Sequence, residues 1–467
     1  MSEPLSYSPF LTAPQSSPRA QNTDRARTRI NARLAFPICA ITAIAPVALA
    51  SNRPIAWTIW AFVVGLIAVI YGFALAKARQ APRFGLGRLS VESALIASVL
   101  GYLVVQLLPI GQFEIPNPGG ITLSVPQISI APGATLLMLL RLTTYALFFF
   151  LVLQIGANPN RRRRILDVLL IIVLGHAFYS LLALFQFGDT ILGVPKWGYP
   201  GSATGTFVNR NSFATFLAFG AAIASANLAA SVSATLATAS RRVLGNNAVL
   251  YLVALVLLLV TVVATNSRMG LLVFTVATAV PMVCLLAKTR LPRGVVWATL
   301  LAVLAVTVLV LVFYGASIIE RTGQIEQSTE LRSTLYAQVT NLIALRPWLG
   351  FGGGTFENAF YLVRQASLNV DHNWDRSHNS YLSLWSDLGL VFGSIPVLVF
   401  GMISFRIQSS MLRRDVAWTG QAAALGVLAA GAIHSLADFS LEIQANMFLF
   451  LVVVGLGLAA TLTTREK

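Results

Sequence analysis

The chain is divided into about twelve apolar runs, each long enough to cross a bilayer as a helix, and no other feature constrains its fold as strongly. Crossing about 30 Å of hydrocarbon takes roughly 17–25 apolar residues in a helix, against about 9–11 in a barrel strand. A backbone in lipid must also satisfy its own polar groups, so long runs read as helices. The runs cover 34–50, 55–76, 94–110, 135–155, 168–187, 212–234, 248–264, 271–286, 295–314, 389–405, 416–435 and 445–463. The expected class is therefore an all-α polytopic membrane protein of about twelve transmembrane helices. Only 11% of the residues are charged, where a soluble domain averages about 25%.

A net charge of +16 would suggest a nucleic-acid partner in a soluble chain, so its placement matters. With the amino terminus inside, 23 of the 33 Lys and Arg residues fall on the inner side, nine outside, and Arg141 within a span. That is the positive-inside rule, and it puts both termini in the cytoplasm. The charge is accounted for by topology, and no nucleic-acid partner is expected. The run ending at Ala48-Leu49-Ala50 resembles a signal-peptidase site, but 33 residues precede it, too many for an ordinary leader. An uncleaved first span is expected. Cys39 and Cys284 lie in apolar runs and read as core residues.

The connections are short except for three on the outer side, 111–134, 188–211 and 315–388. Long connections in a compact protein are usually functional or disordered, and the periodicity of the last favours structure. The organisation expected is a basic, disordered cytoplasmic tail (1–33), nine spans (34–314), an outer loop (315–388), three spans (389–463) and a short cytoplasmic tail (464–467). No internal repeat supports a two-halved transporter.

Chemistry-bearing residues gather on the outer side. Arg210 lies in 205–213 (GTFVNRNSF), Arg268 in 266–270 (NSRMG), and Arg332, Arg346, His372, Arg376 and His378 lie in the long loop. Converging guanidinium groups make an anion site, since they bind phosphate oxygens in a planar fork and stay charged. Snorkelling at the interface is the alternative for any one of them. Arg141, about two turns inside its span, is a functional candidate because charge there is costly. The glycines of 350–354 (GFGGG) suggest a tight turn or a backbone nest for a phosphate; without a βαβ unit they are not a dinucleotide loop. Ser377 or Asn379 can cap the following helix, which places His378 near its amino terminus, where a neutral ring is favoured. Asp371, His372, Asp375 and His378 lack the helical spacing of a zinc site. His434 and Asp438, one helical turn apart, suit a hydrogen-bonded pair near the site. His176, in an apolar run, reads as a core histidine.

In the order and spacing of these motifs, the sequence resembles the bacterial O-antigen ligase and O-antigen polymerase family of polytopic membrane proteins. The resemblance rests on 205–213, Ser267-Arg268, the Arg332 helix with 346–352 (RPWLGFG), 378–382 (HNSYL) with 387–390 (DLGL), and 434–439 (HSLADF), and spans roughly 168–457. It implies a fold similar to the C-type glycosyltransferases, with 315–388 as a periplasmic catalytic loop. The implied activity is glycan transfer from undecaprenyl pyrophosphate to a sugar hydroxyl at the periplasmic face of the inner membrane, without metal or cofactor. The acceptor would be a lipid A core or a second lipid-linked glycan, and a chain-length regulator or flippase are possible partners. By the same resemblance, Arg210 and Arg268 contact the pyrophosphate, with Arg141 added from its position. His378 and Arg332 are the catalytic pair, supported by His434, Asp438 and Asn379. Rival readings are a lipid-linked oligosaccharide flippase or other transporter, and a non-catalytic assembly or sensor protein.

Overall fold

A computed structural model describes residues 18–116, 122–237, 246–289, 294, 322–366, 368, 374–413 and 418–464. Its helices are α1 (Pro18–Ile44), α2 (Pro54–Lys77), α3 (Ser90–Leu107), α4 (Pro132–Gly156), α5 (Pro159–Phe185), α6 (Arg210–Ala237), α7 (Asn246–Ala264) and α8 (Arg268–Lys288). They continue with α9 (Thr322–Leu345), α10 (Phe356–Phe360), α11 (Ser380–Met411), α12 (Thr419–His434) and α13 (Gln444–Thr464). Among the described residues, nine helices are long and apolar enough to cross a membrane. They correspond to nine of the twelve expected runs. The first run falls on the apolar end of α1, and the eleventh on α12, which has 16 residues. The run at 295–314 lies outside the described residues, as do 1–17 of the amino-terminal tail and 315–321 of the long loop; residues 18–33, expected to be disordered, form the first part of α1.

Two helices, α6 and α13, form the centre of the bundle: 89% and 94% of their apolar windows are buried, against 22% for α2. The Ala- and Ser-rich composition of α6 gives it a low hydropathy for a span, and its burial explains why. It faces protein instead of lipid, and small residues let helix backbones approach closely. A methyl group added at Gly220 would lie 2.5 Å from Val173, and one at Gly270 only 2.4 Å from Ala214.

A second apolar core lies at one end of the bundle. Leu335, Val339, Leu342 and Ile343 of α9 pack with Phe351, Phe356, Phe360 and Ile115. Ile115 belongs to a hairpin, β1 (Phe113–Pro116) with antiparallel β2 (Thr122–Val125), in the first long connection. A smaller hairpin, β3 (Thr190–Ile191) with β4 (Val194–Pro195), occupies the second. Both hairpins are local additions to a helical architecture.

The joint between the second core and the bundle is a break in α11 at Gly389, whose φ of 74° and ψ of 170° are not helical. Leu390 N–H there donates to Pro347 O (2.7 Å), and a Cβ at Gly389 would meet Trp348 O at 2.2 Å. Only glycine permits this backbone crossing. The glycines of 350–354 complete the joint. Gly352 N–H donates to Asp387 O (3.0 Å), Gly354 N–H to Asp387 Oδ2 (2.7 Å) and Gly353 N–H to Gln106 Oε1 (3.0 Å). The amides of Gly352, Gly353 and Gly354 are all taken up by Asp387 and Gln106, so they hold the joint and not a substrate phosphate.

Candidate functional site

The site is built from the ends of α6, α8 and α12 and the segment before α11. Asn209 Oδ1 accepts from the N–H groups of Asn211 (2.8 Å) and Ser212 (3.2 Å), the bonding of an N-cap, which starts α6 at Arg210. Ser267 caps α8 by accepting from Gly270 N–H (2.9 Å), which places Arg268 in its first turn. The two caps are tied together, because Ser267 Oγ donates to Asn211 Oδ1 at 2.7 Å. Arg210 and Arg268 therefore open neighbouring helices. A cation at a helix amino terminus opposes the macrodipole, where an anion is stabilised by about 0.3–1 kcal/mol. Two arginines at adjacent helix amino termini place positive charge where anions already bind, a combination suited to phosphate groups.

Arg332 joins them from α9. Tyr336, one turn further along α9, donates its hydroxyl to His378 O at 2.8 Å. Burial raises the Tyr336 phenol, Arg332 lowers it and Asp438 raises it. Tyr199, in the second long connection, is raised by burial and by Asp438 and lowered by Arg210 and Arg332. These residues therefore lie within electrostatic reach of one another. The Arg210 guanidinium carbon lies 5.2 Å from the Tyr199 ring centroid.

His378 precedes the cap of α11. Asn379 is the N-cap, accepting from Tyr381 N–H (3.0 Å) and Leu382 N–H (3.2 Å), while its own amide donates to Leu436 O (3.0 Å). His378 has a φ of +52°, a left-handed conformation rare for a non-glycine residue and concentrated at functional sites. Its ring stands edge-on to Phe439, with centroids 5.0 Å apart, and to Trp374 at 6.0 Å. Its Nδ1 lies 3.5 Å from Asp438 Oδ1, and 26% of its side chain is exposed. That separation is longer than a hydrogen bond but within ion-pair range. With Nδ1 facing a carboxylate, Nε2 is the nitrogen left for a substrate.

Asp438 is 1% exposed, and its Oδ1 accepts from Phe439 N–H at 2.8 Å. Burial alone would raise its pKa; His378, His434 and the Phe439 amide together bring it below the ordinary carboxylate value. It is therefore a fixed negative charge beside the histidine.

This arrangement differs from the sequence expectation in two ways. His434 and Asp438 are linked through the backbone, Asp438 N–H donating to His434 O at 3.0 Å, but their side chains serve different partners. His434 Nδ1 contacts Thr215 Oγ1, while Asp438 faces His378. The reason is that α12 ends at His434, so the spacing that stacks i and i+4 side chains stops before Asp438. The second difference is that the closest charge to His378 is a carboxylate, where the sequence suggested a helix amino terminus.

The other arginines have partners of their own. Arg141 is 7% exposed, with its guanidinium carbon 4.2 Å from the Trp57 ring centroid and an Nη2 bond to Glu442 O. Glu442 in turn pairs with Arg376 at 2.8 Å. Arg141 thus holds the turn before α13, and no described contact brings it to Arg210. Buried Arg346 donates to Ile128 O (3.1 Å) and ties the first long connection to α9. His176 faces Ala43 O (3.2 Å) in an apolar groove of about 360 Å³. Asp371 and His372 lie outside the described residues, and among those described no three His, Cys, Asp or Glu side chains gather as a metal site.

Sequence reasoning missed Tyr199, Tyr336 and Gln106, and met Asp387 only as the first residue of the 387–390 motif. Tyr336 carried a signal, since it sits four residues after Arg332 on one helix face. Tyr199 and Gln106 carried none, because each meets its partners only through tertiary contact. A search of curated proteins returns no match. Residues 253–397 match a family model described as O-Antigen ligase; that stretch runs from α7 into α11 and holds Arg268, Arg332, His378 and Asn379. The chain is a multi-pass helical membrane protein whose residues 253–397 match the O-antigen ligase family model, a match that supports glycan transfer of that general type.

Proposed function

We propose that the protein transfers a glycan from undecaprenyl pyrophosphate to a sugar hydroxyl at the periplasmic face of the inner membrane, on an architecture like that of the C-type glycosyltransferases. The observation that carries this reading is the gathering of Arg210, Arg268, Arg332, His378 and Asp438 at one end of the bundle. Outside the cytoplasm there is no ATP, so the donor must arrive activated, and a lipid pyrophosphate provides both a leaving group and retention in the membrane.

Breaking the anomeric C–O bond builds negative charge on the departing pyrophosphate. Arg210 and Arg268, at two adjacent helix amino termini, stabilise it, with Arg332 completing the cationic wall. His378 Nε2 accepts the proton of the attacking hydroxyl, and Asp438 orients the ring and stabilises the imidazolium that forms. Arg141 acts through Glu442 by fixing the turn that carries the 434–442 segment. A direct displacement inverts the anomeric centre, and the arginines take the charge-neutralising part that a divalent ion plays elsewhere. In this assignment 315–388 is the catalytic loop, closed against the bundle by the Gly389 joint.

Purified protein in vesicles with an undecaprenyl-pyrophosphate glycan tests the reading, with a lipid A core or a second lipid-linked glycan as acceptor and product length resolved. Glycan transfer that survives EDTA is expected. Translocation of the donor without any glycan growth would overturn the proposal. Restoration of an EDTA-lost activity by one specific metal would overturn its metal independence.

A further inference from the structure

The second long connection is too rigidly built to be a mere linker. Asp189 Oδ2 accepts from Gly201 N–H at 2.7 Å, and Lys196 Nζ bonds both Asp189 and Ser202 O. Asn266, immediately before the Ser267 cap, donates to Gly201 O and Ser202 Oγ, both at 3.1 Å, and Ala203 N–H donates to Ala264 O at 2.7 Å. The strap is thereby fastened to the turn that launches Arg268. Its apex carries Tyr199, at a φ of +56°, a conformation that a bulky side chain adopts only where its surroundings impose it.

What the strap presents at that point is the aromatic face 5.2 Å from the Arg210 guanidinium carbon. That distance is within the range of a cation–π contact. The charges acting on the Tyr199 phenol come from three separate elements: Asp438, Arg210 and Arg332. The ring, partly exposed, is therefore within electrostatic reach of the proposed catalytic groups and has the Arg210 guanidinium against it. Arginine binds phosphate through a planar fork, and a fork on a flexible stem binds well only if its plane is already set.

We infer that Tyr199 is a positioning residue that holds the Arg210 guanidinium in the plane it needs to receive the donor's pyrophosphate. The inference rests on the pyrophosphate reading of Arg210. It assigns the work to the ring and not to the hydroxyl, because the contact on which it stands is the ring face.

The test is a double-mutant cycle on the full-length protein in vesicles with the undecaprenyl-pyrophosphate glycan. Tyr199→Ala should lower donor kcat/KM by about tenfold, at normal abundance and thermal stability, and Tyr199→Phe should restore it to within about twofold. In an Arg210→Lys background, whose ammonium has no plane to set, Tyr199→Ala should cost less than about twofold. Equal losses in both backgrounds, or a Phe variant as poor as Ala, would overturn the inference while leaving the pyrophosphate reading intact. Full activity of Arg210→Lys would overturn both.

Discussion

Replacing Asp438 with Asn tests the histidine–carboxylate arrangement with little change in shape. The carboxylate is 1% exposed and its Oδ1 lies 3.5 Å from His378 Nδ1. At that distance, and at an effective dielectric of about 20, a unit charge pair interacts by about 5 kcal/mol. Part of this is screened, because a quarter of the histidine side chain reaches solvent. A remainder of about 3–4 kcal/mol corresponds to about 10²–10³ in rate. Asp438→Asn should therefore reduce turnover of the lipid-linked donor by that factor, with donor KM within about twofold, since the lost interaction is with an imidazolium formed only during transfer. His378→Ala should cost about 10²–10⁴, and the double variant should be no worse than His378→Ala alone. Near-normal turnover in Asp438→Asn beside an inactive His378→Ala would refute the reasoning, as would fully additive losses.

Arg210→Lys and Arg268→Lys keep the charge but lose the fork, so each should impair turnover strongly at normal protein abundance; full activity of both would leave interfacial snorkelling as their role. Gly389→Ala should destabilise the protein by about 3 kcal/mol or more, read as a lower unfolding temperature in detergent, because the new Cβ would meet Trp348 O at 2.2 Å. Asp438 has a folded pKa held below its ordinary value, so its ionised form contributes stability at neutral pH that is lost as pH falls through that depressed value. The stability gap between wild type and Asp438→Asn should be full above about pH 4 and close below it, as thermal unfolding across pH 2–7 will show. Reporter fusions should give an extracytoplasmic signal after Arg364 and a cytoplasmic one after Arg413.

Much of the architecture was legible in the residues. Hydropathy located nine runs that are spanning helices, and the 389–405 boundary fell at Gly389, where α11 breaks. Composition located α6 as a span but not its place at the centre: hydropathy scores a helix against lipid, and α6 is enclosed by protein. Of the N-caps, Asn379 is legible as a local signal, one of the two residues the pattern offers, and Asn209 and Ser267 cap α6 and α8 in the same way.

By itself, then, the sequence determined that this is a polytopic helical membrane protein, where along the chain most of its apolar spans lie, and which side of the bilayer its charge bias favours. Those are matters of local composition and net charge, each complete within a few residues. The tertiary structure alone decided which groups face one another. It turned Asp438 from His434 to His378, bonded the glycine amides to Asp387 and Gln106, engaged Arg141 with Trp57 and Glu442, and brought Tyr199 to Arg210. Each of these contacts joins segments that the sequence does not pair. Side-chain direction at the end of a helix or in a left-handed turn depends on packing from elsewhere in the chain, and no local pattern encodes it.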